Sequence, residues 1–110
     1  YTSAAPYSNW TQLTPAWTPG IAHLSAIAID PDDADTLYIG VEAQGVYKST
    51  NGGTSFGAPS TTGFVSPANI YFYEMAVDPA DSTHVFAATS FGLYRSVNSG
   101  TSWIDASVRL

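Results

Sequence analysis

The 110 residues are 45% hydrophobic and 14% aromatic, enough for one packed domain rather than a disordered segment. Only 11% are charged, and three basic residues against nine acidic ones give a net charge of −6. That balance cannot neutralise a row of phosphates, which argues against nucleic acid or an anionic membrane as a partner. There is no cysteine, hence no disulfide, zinc–thiolate site or thiol nucleophile, and no apolar run approaches the ~20 residues of a membrane-spanning helix.

The first predicted element is a short strand over 9–13, around Trp10. Asn9-Trp10-Thr11 is also a glycosylation sequon, relevant only to a secreted eukaryotic protein. A proline-bounded linker, TPAWTPG, comes next and carries Trp17. Strands are then predicted over 22–30, 36–42, 45–49 and 55–59, and again over 70–78, 83–89, 92–96 and 102–107. Each is short, β-branched or aromatic, and bounded by turn residues such as Asp-Pro. No stretch keeps apolar residues at helical spacing for three turns. The chain opens at Tyr1 without Met, so a processed product or a piece of something longer is expected.

These strands fall into a repeat. IAIDP (27–31) returns as MAVDP (75–79), GVYKS (45–49) as GLYRS (92–96), and STNGGTSF (49–56) as SVNSGTSW (96–103). The spacing slips by one residue between Gly40 and Gly45, where the first copy has the longer loop. A period of ~45 residues made of short strands fits a four-stranded propeller blade. On the innermost strands, Ala28 and Ala76 point to one face. Ile27, Ile29, Met75 and Val77 point to the other, a small face against a large one, as side-by-side blades require.

The octapeptides resemble the Asp-box, or BNR repeat, whose usual pattern is Ser-x-Asp-x-Gly-x-Thr-Trp. The resemblance covers about residues 9–110. It extends to a superfamily that includes sialidases, sortilin-type receptors, xyloglucan-cleaving glycoside hydrolases and photosystem assembly factors. It implies an all-β fold: two four-stranded β-propeller blades of Asp-box type plus an extra N-terminal outer strand, part of a larger or oligomeric propeller. Residues 1–20 are then the outer strand and linker, 21–60 the first blade, and 61–110 a linker and the second blade. The box joins the third strand of a blade to the fourth. Asn51 and Asn98 are expected to cap backbone N–H groups in the turn. Gly53 and Gly100 supply positive φ. Ser49, Ser96, Thr54 and Thr101 add hydrogen bonds, and Phe56 and Trp103 pin the fold-back. Asn in place of the usual Asp removes the charge, so no metal is expected in the box.

Candidates for chemistry are few. The acidic run at Asp30, Asp32, Asp33 and Asp35 lacks the Gly and Glu of a calcium loop and reads as a hairpin with solvated carboxylates. His23 and His84 stand alone. Outside the turns lie Glu42, Glu74 and Asp105; Glu74 interrupts an inner strand and aligns with Ala26, so it is expected at the central channel or an end surface. The sialidase-like members use an arginine triad, but only Arg95 and Arg109 are present. In the xyloglucan-cleaving members a catalytic Asp precedes the inner-strand motif; Ser25 and Tyr73 hold those positions here. The chain is therefore not expected to be an enzyme on its own. Tyr71, Phe72 and Tyr73 are consecutive and cannot share a face. Trp17 and Tyr71, with Glu74, are the expected ligand-binding residues.

Two blades leave two open apolar faces, so the chain is expected to assemble with itself as a ring or filament, or to belong with further blades of a longer chain. The expected role is a structural and recognition segment of an extracellular propeller that binds protein or glycan, with no cofactor and no metal. The alternatives are a fragment of an Asp-box glycoside hydrolase whose catalytic residues lie elsewhere, and a building block of a surface layer or filament.

Overall fold

A computed structural model describes residues 2–4, 9–11 and 24–106. Trp17, His23 and Arg109 lie outside the described residues. The fold is all-β. Strand β1 (Thr2–Ala4) pairs antiparallel with β2 (Asn9–Thr11). A strand thus forms around Trp10, but not as the outer strand of a blade: it pairs with a strand at 2–4 in a separate two-stranded sheet.

The first blade is β3 (Leu24–Ile29), β4 (Leu37–Val41) and β5 (Gly45–Ser49), an antiparallel meander. The second is β6 (Phe72–Val77), β7 (Val85–Thr89), β8 (Gly92–Ser96) and β9 (Ile104–Asp105). Every predicted strand of the second blade appears within a few residues of its expected bounds.

The strand expected over 55–59 does not form. Gly57 donates its N–H to the Lys48 carbonyl at 3.1 Å, and Ser60 exchanges a pair of backbone bonds with Val46. In the second blade the same line runs from Ile104, paired with Arg95, to Ala106, which donates to the Leu93 carbonyl at 2.8 Å. One residue, Asp105, separates those two points, whereas Ala58 and Pro59 separate Gly57 from Ser60. The first blade's edge therefore has one residue too many, and Pro59 has no N–H to give to a ladder. It is touched at two points instead of being zipped.

The alternation of side chains places the core. Ala26 and Ala28 of β3 are buried together with Met75 and Val77 of β6, in one cluster that also holds Tyr38, Val46, Val85, Ala87 and Tyr94. The small face of the first blade thus receives the large face of the second, as the sequence pattern requires. Gly40 makes this approach possible: a Cβ there would stand 2.6 Å from the Phe72 side chain. On the other face of the first blade, Leu37, Ile39, Val41 and Tyr47 form a second buried cluster against which Phe56 packs, while Ile27 and Ile29 on the same face are exposed.

The segment between the blades seals the joint. Phe64 stacks on Trp103 at 5.2 Å and meets Phe72 and Tyr94 edge-on. Gly63 has φ 99° and lies so close to the Trp103 backbone that no side chain fits there. The Tyr38 hydroxyl and the Lys48 ammonium both donate to the Ser99 carbonyl, at 3.3 and 3.4 Å. Burial first, and then the nearby Asp30 carboxylate, holds the Tyr38 phenol above its ordinary pKa.

Candidate functional site

The two ends of the blades differ in chemistry. At one end lie the Asp-Pro hairpins and the octapeptides. The Asp30 carboxylate accepts from the Asp32 N–H at 2.9 Å, and Asp33 from the Asp35 N–H and the Thr36 hydroxyl. In the second copy Asp78 accepts from Ala80 and Asp81 from Thr83, again through N–H and hydroxyl. These aspartates close turns, as the hairpin reading expects, but Asp30 is buried rather than solvated, at 8% exposure. Thr83's hydrogen bonds hold the Asp81 carboxyl below its ordinary pKa, with His84 adding a smaller pull.

The octapeptides close on themselves. The buried Ser49 hydroxyl accepts from the Gly53 N–H at 2.9 Å and donates to the Asn51 side-chain oxygen at 2.8 Å. The same oxygen accepts from the Ser55 N–H, and the Asn51 amide donates to the Ser55 hydroxyl. Ser96, Asn98, Gly100 and Ser102 repeat each of these bonds. Gly53 and Gly100 take φ 90° and 80°, as a turn built on glycine requires. The hydroxyls that complete the turn belong to Ser55 and Ser102. Thr54 and Thr101, expected to supply them, contribute their backbone N–H instead. The polar groups of these turns are spent on one another rather than arranged around an open space.

The opposite end is built from the start of each inner strand and from the β4–β5 and β7–β8 turns. Each inner strand carries a bulge there: the register shifts between Leu24 and Ala26, and between Phe72 and Glu74. Ser25 and Tyr73 are the extra residues. A bulge bends the strand and re-aims the inserted side chain. Tyr73 is 66% exposed, Tyr71 49%, and Phe91, in the β7–β8 turn, 41%. Three aromatic rings thus reach solvent at one end of the molecule.

Tyr71 lines a cleft of about 380 Å³ with Glu42, Ala43, Ala68 and Asn69. The cleft depends on the longer loop of the first copy. Residues 42–44 make a three-residue connection where the second copy has only Ser90 and Phe91. Ala43 takes φ 62° and donates its N–H to the Ile70 carbonyl at 2.8 Å, which docks the loop on the 3-10 turn at Pro67–Asn69. Tyr71 is held from the other side: its N–H donates to the Ser90 hydroxyl at 3.1 Å and its carbonyl accepts the Ser90 N–H at 3.0 Å. The ring is exposed while its backbone is clamped between the turns of both blades.

Of the expected ligand-binding residues, Tyr71 lines this cleft and Trp17 is outside the described residues. Glu74 lies elsewhere. It lies outside the cleft, on the outer face of the second blade, beside Ala76, Phe86, Ala88 and Leu93 around a depression of about 150 Å³. Its counterpart Ala26 is buried in the joint between blades. Asn69 and Phe91 carry no signal in the sequence that would single them out. The signal that points to the cleft is the one-residue slip of the repeat between Gly40 and Gly45. Among the described residues, no three His, Cys, Asp or Glu side chains converge as metal ligands would.

No protein-family model matches the chain. A xyloglucanase of Hypocrea jecorina (strain QM6a) is 34% identical over 83 residues, which is 72% of this chain and 9% of that protein. Among solved structures, an ancestral GH74 enzyme superposes with a TM-score of 0.68 at 22% identity, over 81% of this chain and 14% of that one. YCF48 from Cyanidioschyzon merolae gives 0.65 at 18%, over 92% of this chain and 28% of that one. A GH74 enzyme of Niastella koreensis gives 0.64 at 26%, over 79% of this chain and 15% of that one. The chain thus spans a small part of the length of each protein it matches. These neighbours are β-propeller proteins, and the two sheets here are propeller blades.

Proposed function

We propose that the chain is a two-blade segment of an Asp-box propeller that acts outside the cell on a plant-type β-glucan, and that its own part in that work is recognition rather than bond cleavage. The observation that carries this reading is the 34% identity to a xyloglucanase across 72% of the chain. The end surface adds to it, because exposed aromatic rings on a rigid frame are suited to stacking on the apolar faces of sugar rings. A low charge content with few lysines accords with an extracellular setting.

Cleavage needs two carboxyl groups about 5–10 Å apart across the scissile bond. At the bulge positions, where the resemblance to the xyloglucan-cleaving family expects a catalytic Asp, this chain carries Ser25 and Tyr73. Neither can serve as that acid. The acid–base pair then belongs to blades beyond these residues. The outer face of the second blade, with Glu74, Ala76, Phe86, Ala88 and Leu93, repeats the positions through which the first blade receives the second. A further blade, from a longer chain or from another copy, is its expected cover.

The test is affinity electrophoresis of the 110-residue chain in gels with and without xyloglucan, paired with a reducing-end assay. Retarded migration without new reducing ends is expected. Unretarded migration would remove the recognition role, and released reducing ends would show an acid–base pair within this chain. Light scattering behind a size-exclusion column separates the two sources of a further blade. A single species of several chains points to other copies, and a monomer to a longer chain.

A further inference from the structure

We infer that Asn51 is a site of spontaneous deamidation gated by the fold: it reacts when the turn at 49–55 opens, and the closed turn accepts the aspartate that results. Of the asparagines at 9, 51, 69 and 98, Asn51 alone precedes a glycine. The reaction brings the next residue's backbone nitrogen onto the asparagine Cγ, and a residue without a Cβ leaves that approach open. Asn98 holds the matching place in the second turn, but Ser99 follows it and its side chain crowds the approach.

The chemistry needs only water. The Gly52 nitrogen loses its proton to solvent and bonds to Asn51 Cγ. The Cγ–Nδ2 bond breaks, and the side-chain nitrogen takes up a proton and leaves as ammonia. Water then opens the five-membered imide at one of its two carbonyls, giving aspartate or isoaspartate. Nothing is oxidised or reduced. Asn51 is exposed, so water reaches it.

The closed turn withholds both reactants. The Gly52 N–H is committed to the Asp35 carbonyl at 2.8 Å. The Asn51 side-chain oxygen accepts from the Ser49 hydroxyl at 2.8 Å and the Ser55 N–H at 3.0 Å, and its amide donates to the Ser55 hydroxyl at 2.8 Å. Swinging Cγ onto the Gly52 nitrogen breaks all of these bonds, so reaction waits on local opening. The first turn has the weaker exit, since its blade edge is held at Gly57 and Ser60 rather than by a paired strand.

The aspartate product fits the same turn. Its carboxylate keeps the bonds from Ser49 and the Ser55 N–H, and the Ser55 hydroxyl reverses to donate to the second oxygen. Each bond then becomes charge-assisted. The isoaspartyl product has one more backbone carbon ahead of Gly52, which takes the Gly52 N–H out of register with the Asp35 carbonyl.

The experiment incubates the full chain at mildly alkaline pH, folded and in urea, and follows deamidation by mass spectrometry of tryptic peptides. Cleavage after Lys48 and Arg95 puts Asn51 and Asn98 on different peptides, and fragmentation separates Asn51 from Asn69. In urea Asn51 should react first, and Gly52→Ser should slow it. In the folded chain its rate should fall at least about tenfold. Ser49→Ala should restore about tenfold of the folded-state rate and leave the rate in urea unchanged. Ser55→Ala, a milder change at an exposed residue, should act in the same direction if Ser49→Ala does not fold. Asn51→Asp should unfold at the same urea concentration as the parent chain or a higher one. Equal rates in folded and unfolded chain would overturn the gating. Faster reaction at Asn69 or Asn98 in urea would overturn the site. A lower urea midpoint for Asn51→Asp at neutral pH would overturn the fit of the product.

Discussion

The turns at 49–55 and 96–102 make the same five side-chain hydrogen bonds, with lengths that agree within 0.1 Å. The segments leading out of them differ. Trp103 is 3% exposed, stacks on Phe64 and donates its indole N–H to the Ser60 hydroxyl at 3.3 Å. The chain then runs into β9. Phe56 is only partly buried, and the chain beyond it detours through Ala58 and Pro59. A turn can thus be written locally and completely, while the strand after it depends on residue count and on what the aromatic finds to pack against.

The largest test of this difference is paired truncation. Trp103→Ala should cost about 3–5 kcal/mol, the range for a buried Trp, because it also removes the partner of Phe64. Phe56→Ala should cost about 1–2 kcal/mol, since that ring is only partly buried. Urea midpoints measure both. Equal losses would mean that the two aromatics hold equivalent places and that the structural difference carries no energy.

Next comes the part in which the copies agree. Ser49→Ala and Ser96→Ala each leave a buried glycine N–H without its acceptor, which should cost about 1–3 kcal/mol. The two losses should match within about 0.5 kcal/mol, because the bonds match. A larger gap would show that the turns are sustained by their surroundings after all.

A smaller exchange is available one residue before the glycine of each turn. Gly52 has φ 69° and Ser99 φ 58°. Left-handed backbone disfavours a residue with a Cβ, so Gly52→Ser should lower stability by about 1 kcal/mol. A Cβ at Gly52 meets nothing nearer than the Asp35 carboxylate at 3.5 Å, so no steric clash obscures the reading. Ser99→Gly should raise stability by about 0.5 kcal/mol, less than the reverse change costs, because glycine also loosens the unfolded chain. Thermal midpoints of the two variants would show opposite signs.

The smallest effect is electrostatic. Asp81 is held below its ordinary pKa chiefly by the Thr83 hydroxyl and N–H. A lowered folded pKa gives stability that is present above the unfolded value, about 4, and is lost as the pH falls through the folded one. Asp81→Asn should flatten the acid limb of the second blade's unfolding curve, tracked by the Tyr94 and Trp103 fluorescence, and leave stability near neutral pH almost unchanged. A steeper acid limb in the variant would contradict the direction of the shift.

Much of the fold is legible in the residues. The repeat, the strand pattern and the alternation of Ala28 with Ile27 and Ile29 are local or periodic features, and periodicity survives folding. Propensity predicts a strand over 55–59 that does not form, because it does not count the extra residue between Gly57 and Ser60. That residue matters only when a partner strand is in register. The Asp-box pattern draws attention to Thr54 and Thr101, whereas the hydroxyls of Ser55 and Ser102 close the turns. The cleft is mostly hidden in the sequence. Tyr71 stands out as an aromatic, but its companions come from a loop and a 3-10 turn some 25 residues apart in sequence, joined by the Ala43–Ile70 bond. Glu74 reads as an end or channel residue because it aligns with Ala26 on an inner strand; its place beside Ala76, Phe86, Ala88 and Leu93 on the outer face of the sheet emerges only from the structure.

The self-closing turn has a consequence for how such a chain can grow. Its backbone reaches beyond the octapeptide to the hairpin of its own blade, Gly52 N–H to the Asp35 carbonyl and Ser99 N–H to Thr83. Each unit of roughly 47 residues therefore carries the whole instruction for its turn. Copying that unit in tandem delivers the turn's own side-chain bonds to a new place, and the neighbouring blade adds contacts such as those of Tyr38 and Lys48 with Ser99. Divergence can then be concentrated at the other end, where one inserted residue in a loop was enough to open a cleft.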